Sequence, residues 1–240
     1  VISKVMPHVP FEMFVKQLQL CKTNLDFQKV FIYKLLKDLV QKLSGNMTAC
    51  FAAQTNKQKQ YTFISNHRDI ILDPALLSVN MIDNGFPNTV EIAIGDNLLV
   101  FPWIKKLVRI TKSFIIERGL SLRQQLQSSM LVSKYMHYAI TQKHENLWIA
   151  QRQGRAKDSN DVTQESILKM LVMAGEGDII DRLKEMHIVP LTISYEYDPC
   201  DYLKAQEMQQ KRDNPDFKKS QQDDLDNMQI GFYGYKGGIH

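Results

Sequence analysis

The polar residues 66–69, which include a histidine, directly follow the apolar segment 61–65. That segment has the composition of a strand, and a helix is expected to begin near Pro74, with Asp73 as its N-cap. Because ligands of open α/β sheets bind at the carboxyl ends of strands, His67 is well placed for chemistry. A nearby carboxylate can orient the imidazole, which then takes a proton from a hydroxyl as a general base. The alternative is a structural histidine in a turn.

The elements around this run begin with a helical unit. Residues 11–43 carry apolar side chains at helical spacing with lysines between them, and the turn-forming residues 44–46 end the unit. Polar residues within 21–26 favour a break, which would make two antiparallel helices. We therefore predict an amphipathic helical hairpin within a separate amino-terminal segment, residues 1–44.

Short apolar runs then alternate with helix-length segments. The apolar runs are 47–53, 61–65, 90–95, 113–117, 146–150 and 187–197, and the helical segments are 74–81, 97–108, 122–141 and 163–173. This alternation predicts an α/β domain over residues 45–240, with a mixed, largely parallel sheet flanked by helices. The polar tail 198–227 is expected to wrap the surface as helix and loop. A start at Val1 and an abrupt end leave open that the chain is a truncated piece of a longer protein.

The composition excludes several classes of protein. With 240 residues, 44% of them hydrophobic and 23% charged, the chain is expected to be globular, and neither disordered nor collagen-like. No run of about 18 uncharged apolar residues is present for a membrane-spanning helix, and residues 1–10 lack the apolar run of a signal peptide. Three widely spaced cysteines argue against a disulfide framework or a zinc knuckle, so we expect a reducing compartment. The histidines show no metal-ligand spacing, and neither a metal nor a cofactor is expected.

Positive charge is concentrated in the first half of the chain. Residues 1–120 hold 15 Lys and Arg against 9 Asp and Glu, whereas residues 121–240 hold 15 against 17. The segment 101–118 interleaves five cations with large apolar residues, a pattern that suits an anionic membrane surface or a phosphate-bearing ligand. The alternative is an ordinary solvated face. Nucleic acid is not expected as a partner, because the cations are embedded in apolar segments and no reader motif is present.

Four stretches, in order, resemble the motifs of the glycerolipid acyltransferase superfamily, the relatives of 1-acylglycerol-3-phosphate acyltransferase. Residues 63–78 resemble the first motif, which is Asn-His, four residues, then Asp. Here Asp73 follows His67 after five residues, and Asp69 follows it after one. The sequence after Asp73 favours this residue as the family aspartate through a one-residue insertion, with Asp69 as the alternative.

The other three stretches complete the resemblance over about Phe11 to Tyr197. Residues 112–118 resemble the second motif, a strand that ends in a phosphate-binding arginine, and residues 189–193 resemble the fourth, a Val-Pro strand. Residues 148–155 resemble the third, where the family usually has Phe-Pro-Glu-Gly-Thr-Arg. In this chain Gln153 replaces the glutamate, and the arginine directly follows the glycine.

The resemblance implies an O-acyltransferase that moves a fatty acyl group from acyl-CoA or acyl-carrier protein to the hydroxyl of a lysolipid or glycerol phosphate. His67 would be the general base, oriented by Asp73 or Asp69, and backbone amides near Asn66 or at the following helix start would hold the oxyanion. The implied substrate-binding residues are Asn66, Arg68, Arg118, Gln153, Gly154 and Arg155. A role in phospholipid biosynthesis, peripherally on the inner face of the membrane, follows from such substrates. Gln153 leaves an alternative, a catalytically weakened lipid- or phosphate-binding module of the same fold.

Overall fold

The computed structural model describes residues 10–44, 46–53 and 55–240. The expectation about a signal peptide rests almost wholly on residues 1–9, and both these residues and Gly45 of the expected turn lie outside the described part. Among the described helices, none combines the length and apolar composition needed to cross a bilayer.

Helices and strands alternate along the described chain. The helices are α1 (Phe11–Leu20), α2 (Asn24–Phe27), α3 (Tyr33–Leu43), α4 (Leu72–Asp83), α5 (Pro102–Ile110), α6 (Leu122–Thr141), α7 (Glu165–Leu171), α8 (Ile179–Glu185), α9 (Asp201–Asp213) and α10 (Gln221–Gly234). The strands are β1 (Thr62–Ser65), β2 (Val90–Gly95), β3 (Ser113–Ile116), β4 (Asn146–Ala150) and β5 (Ile188–Leu191). A π-helical turn, Gln28–Ile32, joins α2 to α3, and a 3₁₀ turn, Asp96–Leu98, follows β2.

The five strands form one sheet in the order β3-β2-β4-β1-β5, and every pairing is parallel. The predicted α/β class is confirmed, with a sheet that is wholly parallel, because a helix-containing connection follows each of the first four strands. In the central pairings Phe63 lies opposite Trp148 and Val189. All five carboxyl ends therefore lie at one edge of the sheet.

Side chains of β4 alternate between two hydrophobic cores. Leu147 and Ile149 pack with Met136 of α6 on one face, whereas Trp148 packs with Met81 of α4 on the other. Because successive side chains of a strand point to opposite faces, this central strand is apolar at nearly every position.

The amino-terminal helices fold back on one another as predicted. The rings of Phe14 and Phe31 lie 4.6 Å apart, whereas a continuous helix would separate them by about 25 Å. Thr23 begins α2 with a capping box that includes Asp26. Lys37 of α3 binds Asp83 at the end of α4 with an Nζ–Oδ2 distance of 2.9 Å, so the hairpin is tied to the domain.

One predicted strand is wrong. Residues 47–53, all of them described, contain only a single bridge, between Met47 and Ile239. The apolar side chain of Phe51 instead packs against Phe86, with ring centroids 5.3 Å apart, so this run covers the core without joining the sheet. The polar tail forms helix and loop as expected, namely α9 and α10.

Candidate active site

His67 lies in the loop between β1 and α4, at the carboxyl edge of the sheet. Asn66, the preceding residue, fixes the start of this loop, because its side-chain amide donates to the Ile193 carbonyl and accepts from the Ile193 N–H, each at 2.8 Å. The His67 N–H donates to Asp161 at 3.0 Å, and the His67 carbonyl accepts from the Ala156 N–H at 2.8 Å. The catalytic candidate is thus held by its backbone on both sides, and the Asn66 amide is engaged in the protein itself.

The His67 ring forms a hydrogen-bonded pair with Asp73. Nδ1 lies 3.0 Å from Asp73 Oδ2, and Asp73 is completely buried. Since an ionised carboxylate can only accept, Nδ1 carries the proton and Nε2 presents its lone pair. In the described part of the chain no protein group hydrogen-bonds Nε2, and the ring is 14% exposed. An edge-on contact with Trp148, at 5.9 Å between centroids, restrains its orientation.

The two candidate aspartates have different partners. Asp73 Oδ2 accepts from the Arg68 and Asp69 N–H groups at 2.8 and 3.0 Å in addition to the ring. Asp69 Oδ1 accepts from the N–H groups of Ile71 and Leu72, each at 2.8 Å, and so caps the start of α4. The prediction that Asp73 is the N-cap is wrong: it lies within the first turn, which lets its carboxylate point back into the loop.

Arg68 belongs to an ion-pair cluster beside the loop. Its guanidinium pairs with Asp198 and donates to the Asp158 carbonyl at 2.8 Å. Lys204 of α9, almost fully buried, also pairs with Asp198 and donates to the Arg68 carbonyl at 2.7 Å. Burial lowers the pKa of Lys204, and Asp198 opposes that effect. These contacts hold the Arg68 guanidinium beside the loop.

The third-motif residues lie at the end of β4. Gly154 has a φ of 76°, a left-handed conformation that glycine adopts without strain, and Gln153 is exposed. Arg155 is 8% exposed and donates through Nη2 to Asn227 of α10 at 3.0 Å. Its Nη1 is buried, with no hydrogen-bond partner among the described residues. The arginine expected at the acceptor therefore lies beneath the carboxyl-terminal helix.

Arg118, the other arginine expected at the acceptor, is exposed after β3. Its guanidinium lies across the end of β2, in space that a side chain at Gly95 would occupy: an ideal Cβ there would lie 2.5 Å from Arg118 Nε. Three strand spacings of about 4.8 Å, about 14 Å in all, separate β3 from β1 in the sheet order. An elongated acceptor could therefore reach from Arg118 to His67 along the carboxyl edge.

Five of the backbone amides around His67, near where an oxyanion was expected to bind, donate to side chains of the protein. The N–H groups of residues 67, 68, 69, 71 and 72 all donate to aspartate side chains. Among the described residues no group of three or more His, Cys, Asp or Glu side chains could hold a metal ion.

Two clefts on the surface do not include His67. One, of about 480 Å³, lies between the helical hairpin and the amino-terminal edge of the sheet and includes Thr23, Glu91 and Lys143. The other, of about 450 Å³, is bounded by Tyr197, Tyr202 and Ile230. His67 lines neither, so the chemistry is assigned from the side-chain geometry and not from cavity size.

Sequence patterns gave no indication of several residues at the site. Tyr195 donates its hydroxyl to Asp73 Oδ1 at 2.8 Å, and Asp161, Asn227 and Gly95 make the contacts described above. Tyr195, Asp161 and Asn227 are far along the chain from the residues that they contact, and Gly95 contributes only by leaving room for the Arg118 side chain. Gly95 is itself the last residue of β2, and Asp161 and Asn227 lie well beyond the strand ends in sequence, so the signal of polar residues that directly follow a strand applies to none of them.

Comparison with known proteins agrees with these motifs. The sequence model of the family described as Acyltransferase matches residues 49–194, more than half of the chain. A search of curated proteins returned no match. The matched range contains β1 to β5, the His67–Asp73 pair and both arginines. The chain therefore belongs to the acyltransferase family, the glycerolipid acyltransferases that its four motifs resemble, and acyl transfer is its general chemistry.

Proposed function

We propose that this acyltransferase moves a fatty acyl group from acyl-CoA or acyl-carrier protein to the hydroxyl of a glycerolipid-type acceptor, such as lysophosphatidate or glycerol 3-phosphate. The observation that carries the proposal is the His67–Asp73 pair, in which Nδ1 is bonded to a buried carboxylate and Nε2 has no hydrogen-bond partner among the residues that the structure describes. This is the arrangement that a general base needs to activate a hydroxyl.

In the proposed mechanism, His67 Nε2 takes the proton of the acceptor hydroxyl as its oxygen attacks the thioester carbonyl. The tetrahedral intermediate then collapses, the carbon–sulfur bond breaks, and the imidazolium returns the proton to the departing sulfur. Asp73 stabilises the imidazolium between these two steps. No covalent acyl-enzyme is required, because the thioester is already an activated acyl donor.

The acceptor proposal rests on Arg118. This exposed guanidinium lies at the same edge as His67 and offers a planar pair of donors that suits a phosphate group. Arg155, beneath α10, would contribute positive potential from below, since its Nη1 has no partner within the described part of the chain.

We also propose that the enzyme works on phospholipid biosynthesis at the inner face of the membrane. The helix α5 supports this, since Trp103, Leu107 and Ile110 share one exposed face while Ile104 packs inward. The exposed cations Lys105, Lys106 and Arg109 form the polar side of the helix, with Lys106 next to the apolar face, as in amphipathic helices that lie on anionic bilayers.

Substitution of His67 tests the mechanism. His67→Ala should lower turnover with a thioester donor by about 10²- to 10⁴-fold, the usual contribution of a general base. Asp73→Asn should cause a large loss and Asp69→Asn a small one, because only Asp73 contacts the ring. The matched control is His187→Asn, since this exposed histidine bonds the Gln60 carbonyl at the opposite end of β1.

Undiminished transfer by a folded His67→Ala enzyme would contradict the mechanism. The alternative function, a catalytically weakened lipid- or phosphate-binding module, is favoured by the exposed Gln153 and the covered Arg155. If the wild-type protein binds lysophosphatidate without turnover of any thioester donor, that alternative replaces the enzyme.

A further inference from the structure

Tyr195 lies one residue beyond the family match and contacts the centre of the site. Its hydroxyl donates to Asp73 Oδ1 at 2.8 Å, whereas Oδ2 accepts from the His67 ring and from the N–H groups of Arg68 and Asp69. The loop thus holds one carboxylate oxygen, and Tyr195 holds the other from the opposite side. A carboxylate with both oxygens bonded has little freedom to rotate away from the imidazole.

The carboxyl-terminal residues fix Tyr195 in turn. Its ring packs edge-on against Tyr235, with centroids 5.3 Å apart, and its backbone forms an antiparallel bridge with Ile239. On either side, Ser194 and His240 exchange hydrogen bonds of 2.6 and 2.8 Å, and the Glu196 N–H donates to the Gly238 carbonyl at 2.9 Å. These contacts leave the hydroxyl directed at Asp73.

The Tyr195 hydroxyl remains a hydrogen-bond donor over the pH range in which an acyltransferase works. Burial raises the pKa of Tyr195 well above its ordinary value of 10.0, and the negative charges of Asp73 and Asp69 raise it further. A tyrosine in this state keeps its proton and can offer it to the ionised Asp73.

We propose that Tyr195 is a positioning residue for acyl transfer: it locks the Asp73 carboxylate so that Oδ2 stays directed at His67 Nδ1. The inference rests on the proposed role of His67 as general base. Residues 235–240, which lie outside the family match, would then serve acyl transfer indirectly, because their contact with Ser194–Glu196 holds Tyr195 in place.

The first test is Tyr195→Phe, which keeps the ring and removes only the hydroxyl. We expect kcat to fall about 10-fold with the KM values of donor and acceptor unchanged, because orientation of the base matters in the transition state and not in substrate binding. The matched control is Tyr61→Phe, which removes a hydroxyl that donates to the Asn56 carbonyl at the opposite end of β1 and should leave kcat unchanged.

A double-mutant cycle separates positioning from a merely structural role. In an Asp73→Asn background, Tyr195→Phe should cause no further loss of kcat, since the carboxylate that it positions is gone. If Asp73→Asn does not fold, His67→Ala serves as the background with the same expectation. Additive losses, or an unchanged kcat in Tyr195→Phe alone, would overturn the inference.

This failure is distinguishable from failure of the proposed function. Full activity in His67→Ala would remove the base itself. An inactive His67→Ala protein together with a fully active Tyr195→Phe protein would leave the base in place and reject only the role of Tyr195.

Discussion

Two neighbouring buried carboxylates at the site perform different tasks. Both oxygens of Asp73 are hydrogen-bonded, including one bond to the His67 ring, whereas Asp69 Oδ2 is buried with no partner among the described residues. An ideal Cβ at Gly231 of α10 would lie 2.6 Å from that oxygen, so the helix backbone closes over it. Burial raises the pKa of Asp69 above its ordinary value of 3.8, and the charge of Asp73 raises it further.

This raised pKa predicts a pH-dependent stability. The folded protein retains the Asp69 proton to a higher pH than the unfolded chain, so the stabilisation is full below pH 3.8 and is lost as pH rises through the folded pKa. Asp69→Asn stays neutral and keeps an oxygen for the Ile71 and Leu72 amides. Its free energy of unfolding, measured in urea between pH 4 and 9, should therefore increase relative to that of the wild type as pH rises.

Asp213→Asn is the control, because it changes the same chemical group on the surface at the end of α9. The gain should be absent there. Parallel pH curves for the wild type and Asp69→Asn would show that Asp69 ionises as easily in the folded protein as in the unfolded chain.

Residue types and spacing were sufficient to propose His67 as a general base, but they did not determine which carboxylate contacts its ring. Asp69 and Asp73 are both close to it in sequence, and only the helical first turn of α4 determines which carboxylate reaches the ring. Asn66 and Arg68 are likewise next to His67, yet their side chains bond Ile193 and Asp198, which are more than a hundred residues away. Tyr195 was missed for the same reason, because its contact is created by tertiary packing.

At the scale of elements, the end of β2 leaves the space in which the Arg118 side chain, which follows β3, is positioned. Gly95 is the last residue of β2, and the Arg118 guanidinium occupies the space where a Cβ would lie, 2.5 Å from Nε and 2.8 Å from Cζ. The Gly95 φ of −75° suits any residue, so glycine is needed here for space and not for backbone freedom.

Gly95→Ala should therefore displace Arg118 without unfolding the protein. All three atoms that clash belong to side chains and none to the backbone, two of them in Arg118 and one in Asn97. We expect the acceptor KM to rise about 10-fold, as for Arg118→Lys, while the donor KM is unchanged, since an ammonium or a displaced guanidinium loses two-pronged phosphate contact. Steady-state kinetics with glycerol 3-phosphate or lysophosphatidate measure this.

Gly234→Ala provides the control, because its Cβ would meet only an ordinary contact with Ile230 at 3.9 Å. A raised acceptor KM in Arg118→Lys but not in Gly95→Ala would mean that the position of Arg118 does not depend on the space beside Gly95. No change in either variant would place the acceptor elsewhere.

The alternation of apolar runs and helical segments was enough to predict the α/β class, because each buried strand and its flanking helix have distinct periodicities. The same pattern wrongly predicted a strand at residues 47–53, where Phe51 packs against the core without the segment joining the sheet. Nor could it show that α10 lies on Arg155 and Asp69. A polar helix carries little periodic signal, and the Asn227 contact is specified by the fold as a whole.

At the scale of the whole molecule, exposed apolar residues lie close to the carboxyl edge of the sheet, where His67 lies. The helices α5 and α6 follow the carboxyl ends of β2 and β3, so their first turns lie at the same edge as His67. Trp103 in the first turn of α5 is 47% exposed, and Leu122, the first residue of α6, is 87% exposed. Large apolar side chains in such a position, beside cations, are typical of a surface that meets a membrane.

Contact between α5 and an anionic bilayer predicts a specific spectroscopic change. Trp103 is half exposed whereas Trp148 is buried, so insertion should shift the emission of Trp103 to the blue. Each cation near the surface contributes about 1 kcal/mol, so Lys105→Gln with Lys106→Gln should weaken binding to anionic vesicles about 30-fold. The matched control, Lys169→Gln with Lys184→Gln, removes the same charge from exposed positions of α7 and α8.

Salt separates the two contributions to this binding. The electrostatic part decays over about 8 Å at physiological ionic strength and should be lost first as salt rises, whereas apolar insertion by Trp103 resists salt. Binding to anionic vesicles should therefore fall with salt to the level of neutral vesicles, and Trp103→Ala should lower that remaining level. Equal binding to both vesicle types at every salt concentration would reject the cations as the anchor. If the fluorescence shift is absent while transfer to a bilayer-embedded acceptor persists, another surface of the enzyme must meet the lipid.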